Sequence, residues 1–149
     1  MLTRKRKQRV SETVAFALVL PIFFLLLFAM IDMGLAINAW NTLSYATRAG
    51  ARYASVNGSL SVNNTKDLAK PLIIQYVKNQ AQGLNLNYLT VDPTWPVSPT
   101  LPDGQTIIQY NDPGSTVTVT STYVYFPLTT YLKFASLTFT SQASATIFH

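Results

Sequence analysis

Few side chains in this sequence could carry acid–base or nucleophilic chemistry, and they are scattered. The one histidine, His149, is the last residue, cysteine is absent, and the acids are Glu12, Asp32, Asp67, Asp92, Asp103 and Asp112. A nucleophile needs a base within hydrogen-bond reach and a further group to orient that base. A two-carboxylate hydrolase needs its acids held across a substrate cleft. The later acids instead fall where carboxylates satisfy backbone N–H groups: Asp67 at a helix start, and Asp92, Asp103 and Asp112 beside Pro or Gly in turn sequences. A glycine-rich phosphate loop is also missing, so the reading is no enzyme, no cofactor, no metal and no small-molecule substrate. Without cysteine the chain folds with no disulfide staples. The other charges with informative spacing are Arg48 and Arg52, four residues apart. Their chemistry is ion pairing, either docking the rest of the chain onto its helix or contacting a partner subunit; a solvated face is the alternative.

The element that positions these arginines begins far upstream. From Thr13 to Ile31 there is no charge, and Arg4, Lys5, Arg6, Lys7 and Arg9 stand just before that stretch. A helix needs about 20 apolar residues to cross roughly 30 Å of hydrocarbon. The Leu, Ile, Val and Phe residues from Val14 to Ile31 favour insertion by roughly 4–8 kcal/mol together, less whatever Pro21 costs. Basic residues stay on the cytoplasmic side, which places the N-terminus inside and the chain from about residue 33 outside. The net charge of +5 is therefore mainly a topology signal. The basic knot abuts an apolar run and lacks aromatic interleaving, so nucleic acid is not the expected partner. A cleaved secretory signal has a shorter apolar region of about 7–15 residues ending at a small-x-small site. Met30-Ile31-Asp32-Met33 makes a poor site, and the span is read as a retained signal-anchor. Phe16, Leu18, Pro21, Phe24, Asp32 and Gly34 are its residues assigned to lipid and subunit packing. Asp32 ends the span, either hydrated among headgroups and marking depth or pairing with a cation on another subunit.

The expected organisation is a basic cytoplasmic stub (1–12), a transmembrane helix (13–32), an extracytoplasmic continuation of that helix (33–56) and an α+β head (57–149). Ala39, Leu43, Ala46, Gly50 and Ala54 recur at spacings of three and four and share one face whose smallness permits close packing. Arg48 and Arg52 are read on a neighbouring face, and Asn57-Gly58 as the helix stop. A second helix follows, capped by Asn64 or Thr65 or starting near Lys70 because of Pro71, with Leu68, Leu72, Ile73, Tyr76, Val77 and Ala81 apolar and Gly83 as C-cap. Strands are expected at Leu84–Val91, Ser115–Phe126 and Ser136–Phe148, with a short one at Gln105–Tyr110 and an irregular proline-rich loop from Asp92 to Pro102. The last two long strands pair antiparallel, with Val117, Val119, Tyr123 and Tyr125 on one face against the long helix and threonines on the other. The predicted fold class is α+β: a long N-terminal transmembrane helix continuing into a domain whose second helix packs on a small antiparallel sheet. Tyr123, Tyr125, Phe126, Tyr131 and Phe134 form an aromatic cluster read as core plus a loop at the membrane surface.

Three stretches carry a family resemblance: Val14-Ala15-Phe16-Ala17-Leu18-Val19-Leu20-Pro21, Ile31-Asp32-Met33-Gly34, and Ala46-Thr47-Arg48-Ala49-Gly50-Ala51-Arg52-Tyr53-Ala54. Together they resemble the TadE-like proteins of the Tad (Flp) pilus system, most strongly over residues 9–56. Pro113–Val119 and Ser136–Thr146 resemble the family's late strands more weakly. The resemblance implies a membrane-anchored, minor pilin-like pseudopilin or assembly factor of an adhesive type IVb pilus. It also implies contacts to membrane lipid, pilin, other pseudopilins and the inner-membrane platform. The resemblance and the arginine spacing single out Ala46, Arg48, Gly50, Arg52, Tyr53 and Ala54 as the helix face for interaction. The family's processing site carries Gly before the cut and Glu five residues after it; the matching positions here are Val10 and Ala15, so the chain is expected to stay uncut. The competing reading is a signal-anchored extracytoplasmic ligand-binding module, which would use the Asp92–Tyr110 loop instead of the Ala46–Ala54 face.

Overall fold

Backbone hydrogen bonding dictates the first element. The structure, a computed structural model, describes residues 2–57, 69–95, 113–127 and 136–148, and its helix α1 runs unbroken over Leu2–Val56 with Pro21 inside. In hydrocarbon an unmade backbone bond has no water to replace it, so a helix through the apolar stretch is retained despite the proline. The helix starts ten residues before the expected Glu12, because Lys, Arg and Gln in the basic stub are themselves good helix formers. At the other end Asn57 closes it: its backbone N–H and its Nδ2 both donate to the Tyr53 carbonyl, at 3.1 and 3.0 Å, and Ser55 Oγ donates to the Arg52 carbonyl at 2.8 Å.

The described residues divide into two compact units, one holding 2–37 and Pro127, the other 38–57, 69–95, 113–126 and 136–148. In the first, apolar side chains point outward all round the helix, from Val14 to Ile37. Phe24 lies near both Phe23 and Phe28, with ring centroids 6.0 and 6.2 Å apart. An apolar surface on every side of a helix calls for an apolar surrounding, and α1 is long and apolar enough to cross a membrane. It fits a single-pass anchor.

The second unit is α+β. Its elements are the 38–56 part of α1, helix α2 (Ala69–Gln80), and strands β1 (Leu89–Thr94), β2 (Thr116–Tyr125) and β3 (Leu137–Thr146). The sheet order is β1-β2-β3, antiparallel throughout, with Val91 opposite Ser121 and Val119 opposite Ala143. Burial alternates strictly along β2: Val117, Val119, Ser121, Tyr123 and Tyr125 face the core, and Thr116, Thr118, Thr120 and Thr122 face away. On that outer face Thr94 Oγ1 donates to the Thr118 carbonyl at 3.2 Å, and the Thr118 and Ser144 hydroxyls share a 2.9 Å bond. On β3, Phe139, Ser141, Ala143 and Ala145 are half-buried, and Leu137 at its start is exposed. Past β3, the Phe148 N–H donates to the Ser55 carbonyl at 2.9 Å, tying the strand end to the end of α1.

The second helix starts near Lys70, as one of the two readings had it, and three other expectations need correction. Helix α2 includes Lys70 and Pro71 in its first turn, where the missing proline N–H has no partner to lose; Asn64, Thr65 and Leu68 lie outside the described residues. The helix ends at Gln80, and Gly83 (φ 85°) is not its cap. It is the third residue of a separate turn closed by the Leu84 N–H on the Ala81 carbonyl at 3.2 Å. The strand expected at Leu84 begins only at Leu89, because the Asn85 side chain accepts the Asn87 N–H and starts a 3₁₀ turn, Leu86–Tyr88. That strand then runs through Asp92-Pro93-Thr94, read above as loop, since an edge strand tolerates proline. The Gln105–Tyr110 strand and the Asp103-Gly104 turn lie outside the described residues, whereas Pro113-Gly114 forms the expected turn, with Gly114 at φ 86°.

The packing centre of this unit is Gly50. A Cβ placed there would collide with Val77 Cγ2 and come within 3.8 Å of Val119 Cγ1, so α1, α2 and β2 meet over a backbone with no side chain. Gly50→Ala is expected to lower the stability of this unit by about 1–3 kcal/mol through overpacking. Adding Val77→Ala should make the two costs less than additive, and Gly34→Ala, which meets no atom within 4 Å, should be neutral. Thermal unfolding of the detergent-solubilised chain, followed by near-ultraviolet circular dichroism, measures all three.

Candidate functional site

The six helix-face residues separate into two groups. Ala46, Gly50 and Ala54 are buried in the head, against Val77 and Val119 at Gly50, while Arg48 and Arg52 are exposed and Tyr53 is half-buried. Two residues of α-helix turn through about 200°, so the arginines lie opposite the buried stripe and not on a neighbouring face. One turn apart, they bring two positive charges onto one exposed strip of α1. Among the described residues neither guanidinium has a counter-charge; the ion pair of this unit is Lys70–Asp92, at 3.4 Å.

Around these arginines the surface is concave. A groove of about 590 Å³ is lined by Tyr45, Arg48, Arg52, Tyr53 and Val56 of α1 and by Tyr76 of α2. Its floor is the Tyr53–Tyr76 stack, with centroids 4.3 Å apart and planes 13° from parallel. Tyr45 and Val56 stand open to solvent at 63% and 58% exposure. Stacked rings offer flat apolar area, and the paired guanidinium forks offer charge-assisted, bidentate hydrogen bonds to carboxylate or phosphate. The groove's described lining is thus tyrosine, arginine, alanine, valine and asparagine.

The span residues lie as their types require. Phe16, Leu18 and Phe24 are exposed, as are Pro21 and Ala15, and Gly34 meets nothing within 4 Å. Val10 lies within α1, its side chain outside the described residues. Asp32 departs from the expectation of a hydrated carboxylate. It is buried and engaged, while Ile31 and Met33 beside it are exposed. A covered carboxylate takes its compensation from the protein instead of from water.

The aromatic cluster also divides. Tyr123 and Tyr125 are core residues, and Tyr125 stacks on Phe139 at 6.0 Å. Phe126 is exposed and meets Tyr88 at 4.8 Å; Tyr131 and Phe134 lie outside the described residues. Sequence reasoning missed the place of Trp40, which meets Phe139 edge-on at 5.8 Å. It also took Tyr76 as part of an apolar stripe, with no sign of its ring partner. The loop favoured for a ligand-binding module is reduced, among the described residues, to β1 and Trp95.

The model of the TadE-like protein family matches residues 11–52. The match takes in the apolar helix and the segment through Arg48, Gly50 and Arg52, so the resemblance read from those residues is borne out there. No curated protein and no solved structure matches the chain.

The Tyr53–Tyr76 stack joins the two helices, whereas the arginines contact no counter-charge among the described residues. Tyr76→Leu is expected to lower stability by about 0.5–1.5 kcal/mol, and Arg48→Ala and Arg52→Ala to stay within about 0.5 kcal/mol of the parent. Urea titration of the purified full chain in detergent tests both.

Proposed function

We propose that this protein is a membrane-anchored, minor pilin-like subunit or assembly factor of a Tad (Flp) pilus, working through protein–protein contacts. The observation that carries the reading is the TadE-like match over residues 11–52, which coincides with a helix whose apolar side chains face outward on every side. Such a helix has two available surroundings, lipid and other apolar helices, and an assembly subunit uses both. The α+β head is consistent with the same reading, since it carries a groove lined by tyrosines and arginines, chemistry suited to a protein contact.

In this proposal the N-terminus is cytoplasmic and the head extracytoplasmic, across the cytoplasmic (inner) membrane, by the basic knot at Arg4–Arg9. The chain stays uncut: Val10 and Ala15 replace the Gly and Glu that a prepilin peptidase and neighbouring subunits read in the family. A permanently anchored protein acts at the base of the filament, beside the assembly platform.

The absence of cysteine makes the topology directly testable. In otherwise native chains, Asn87→Cys is expected to react with a membrane-impermeant maleimide applied to spheroplasts and Gln8→Cys only after lysis, and the intact mass of the labelled protein should retain the first residues. Reversed labelling would overturn the orientation, and loss of about ten residues would overturn the uncut anchor. Deletion of the protein is expected to abolish surface filaments counted by electron microscopy; filaments at the parental number would end the pilus reading.

A further inference from the structure

The groove beside Arg48 and Arg52 has chemistry that the fold does not use. Two guanidiniums one turn apart repel each other when no acid lies between them. Of the described acids, Asp92 is engaged by Lys70, and Glu12 and Asp32 belong to the other unit. The repulsion is accompanied by an opening of about 590 Å³, by a stacked tyrosine floor, and by Tyr45 and Val56 exposed at its rim. We propose that this groove is a docking site for an acidic helical segment of a partner protein, with two carboxylates one helical turn apart received by Arg48 and Arg52. The segment's apolar side rests on Tyr45, Tyr53 and Val56. The proposal deepens the reading of the protein as one that works by protein–protein contact, and rests on it.

Three features of the site select this occupant. The charge is positive and unopposed among the described residues, which suits an anionic ligand. The two arginines stand four residues apart on α1, an axial rise of about 6 Å, which matches the backbone spacing of carboxylates at positions i and i+4 of a helix lying along α1. The lining between and beside them is aromatic and aliphatic, which suits an amphipathic helix better than a bare ion.

The test is a fluorescence-anisotropy titration of the full-length protein in detergent with a labelled alanine-based peptide. The peptide carries two Glu four residues apart and a Leu between them on the adjoining face; the control has Gln at both Glu positions. The Glu peptide is expected to bind at least tenfold more tightly than the Gln peptide. The Arg48→Ala/Arg52→Ala double variant is expected to erase that difference, and raised salt to reduce it. Because both arginines are exposed, the variant's unfolding midpoint is measured alongside and is expected to match the parent's. Equal binding of the two peptides, or unchanged binding by the variant, overturns the proposal. So does protection of the groove by soluble short-chain phosphatidylglycerol with no binding of the Glu peptide, which identifies a lipid occupant.

In cells, Arg48→Glu/Arg52→Glu is expected to abolish filaments as deletion does. If deletion abolishes filaments and the charge-reversed chain restores them, the groove proposal falls and the pilus reading stands. If deletion leaves filaments intact, the pilus reading falls and the peptide titration alone decides the groove.

Discussion

The head depends on a close approach at Gly50. There the α1 backbone comes near enough to Val77 of α2 and Val119 of β2 that a single methyl group would collide with Val77. Ala46 and Ala54, one turn to either side, are completely buried, and so is Leu43. Small side chains let the backbones approach until valine methyls fill the gap, so packing density replaces side-chain bulk. A head of this size has a modest core and no disulfides to add to it. That makes the crossing costly to disturb, because Ile73, Val77, Val117, Val119 and Ile147 make up much of the rest of the buried aliphatic surface.

One helix meets two kinds of surroundings, and its residue pattern changes accordingly. From Val14 to Ile31 apolar side chains occur with no period, as in a helix with a similar medium on all sides. From Ala39 onward the buried positions fall at intervals of three and four, the period of a helix with one face against a core. Asp32 stands where the first pattern gives way to the second. The switch was legible without coordinates because it depends only on local residue type. For the same reason β2 could be read nearly to the residue: valine, threonine and tyrosine alternate with period two, and Pro127 prevents continuation.

Where the reading missed, a side chain or a neighbour outweighed local propensity. Leu84 to Tyr88 has the composition of a strand, but the Asn85 side chain captures the Asn87 N–H and turns the backbone into a 3₁₀ loop. Asp92 and Pro93 look like loop residues, yet β2 supplies a pairing partner, and the proline falls on an edge strand. Arg48 and Arg52 were identifiable by spacing alone. The groove was not, since its floor needs Tyr76 from a second helix, and no periodicity within α1 reports a ring stacked on Tyr53 from elsewhere in the chain.

The two stripes of α1 within the head also differ in what they do for the fold. Ala46, Gly50 and Ala54 are committed to packing, and any larger residue there acts on stability first. On the opposite side, Tyr45, Arg48, Arg52 and Val56, with Tyr53 nearer the buried stripe, have a different composition, cation and aromatic in place of small and aliphatic. Among the described residues, Tyr53 has a ring partner in Tyr76, and the arginines repel each other. Folding is served equally well by lysine–glutamate pairs on such a stripe. Its actual composition leaves charge and apolar surface uncompensated by the described residues, and these are two quantities that a second protein can compensate. The same rotation of about 200° that drives the small residues into the core keeps the two arginines out of it. Changes to one stripe can then be separated experimentally from changes to the other, as stability from association.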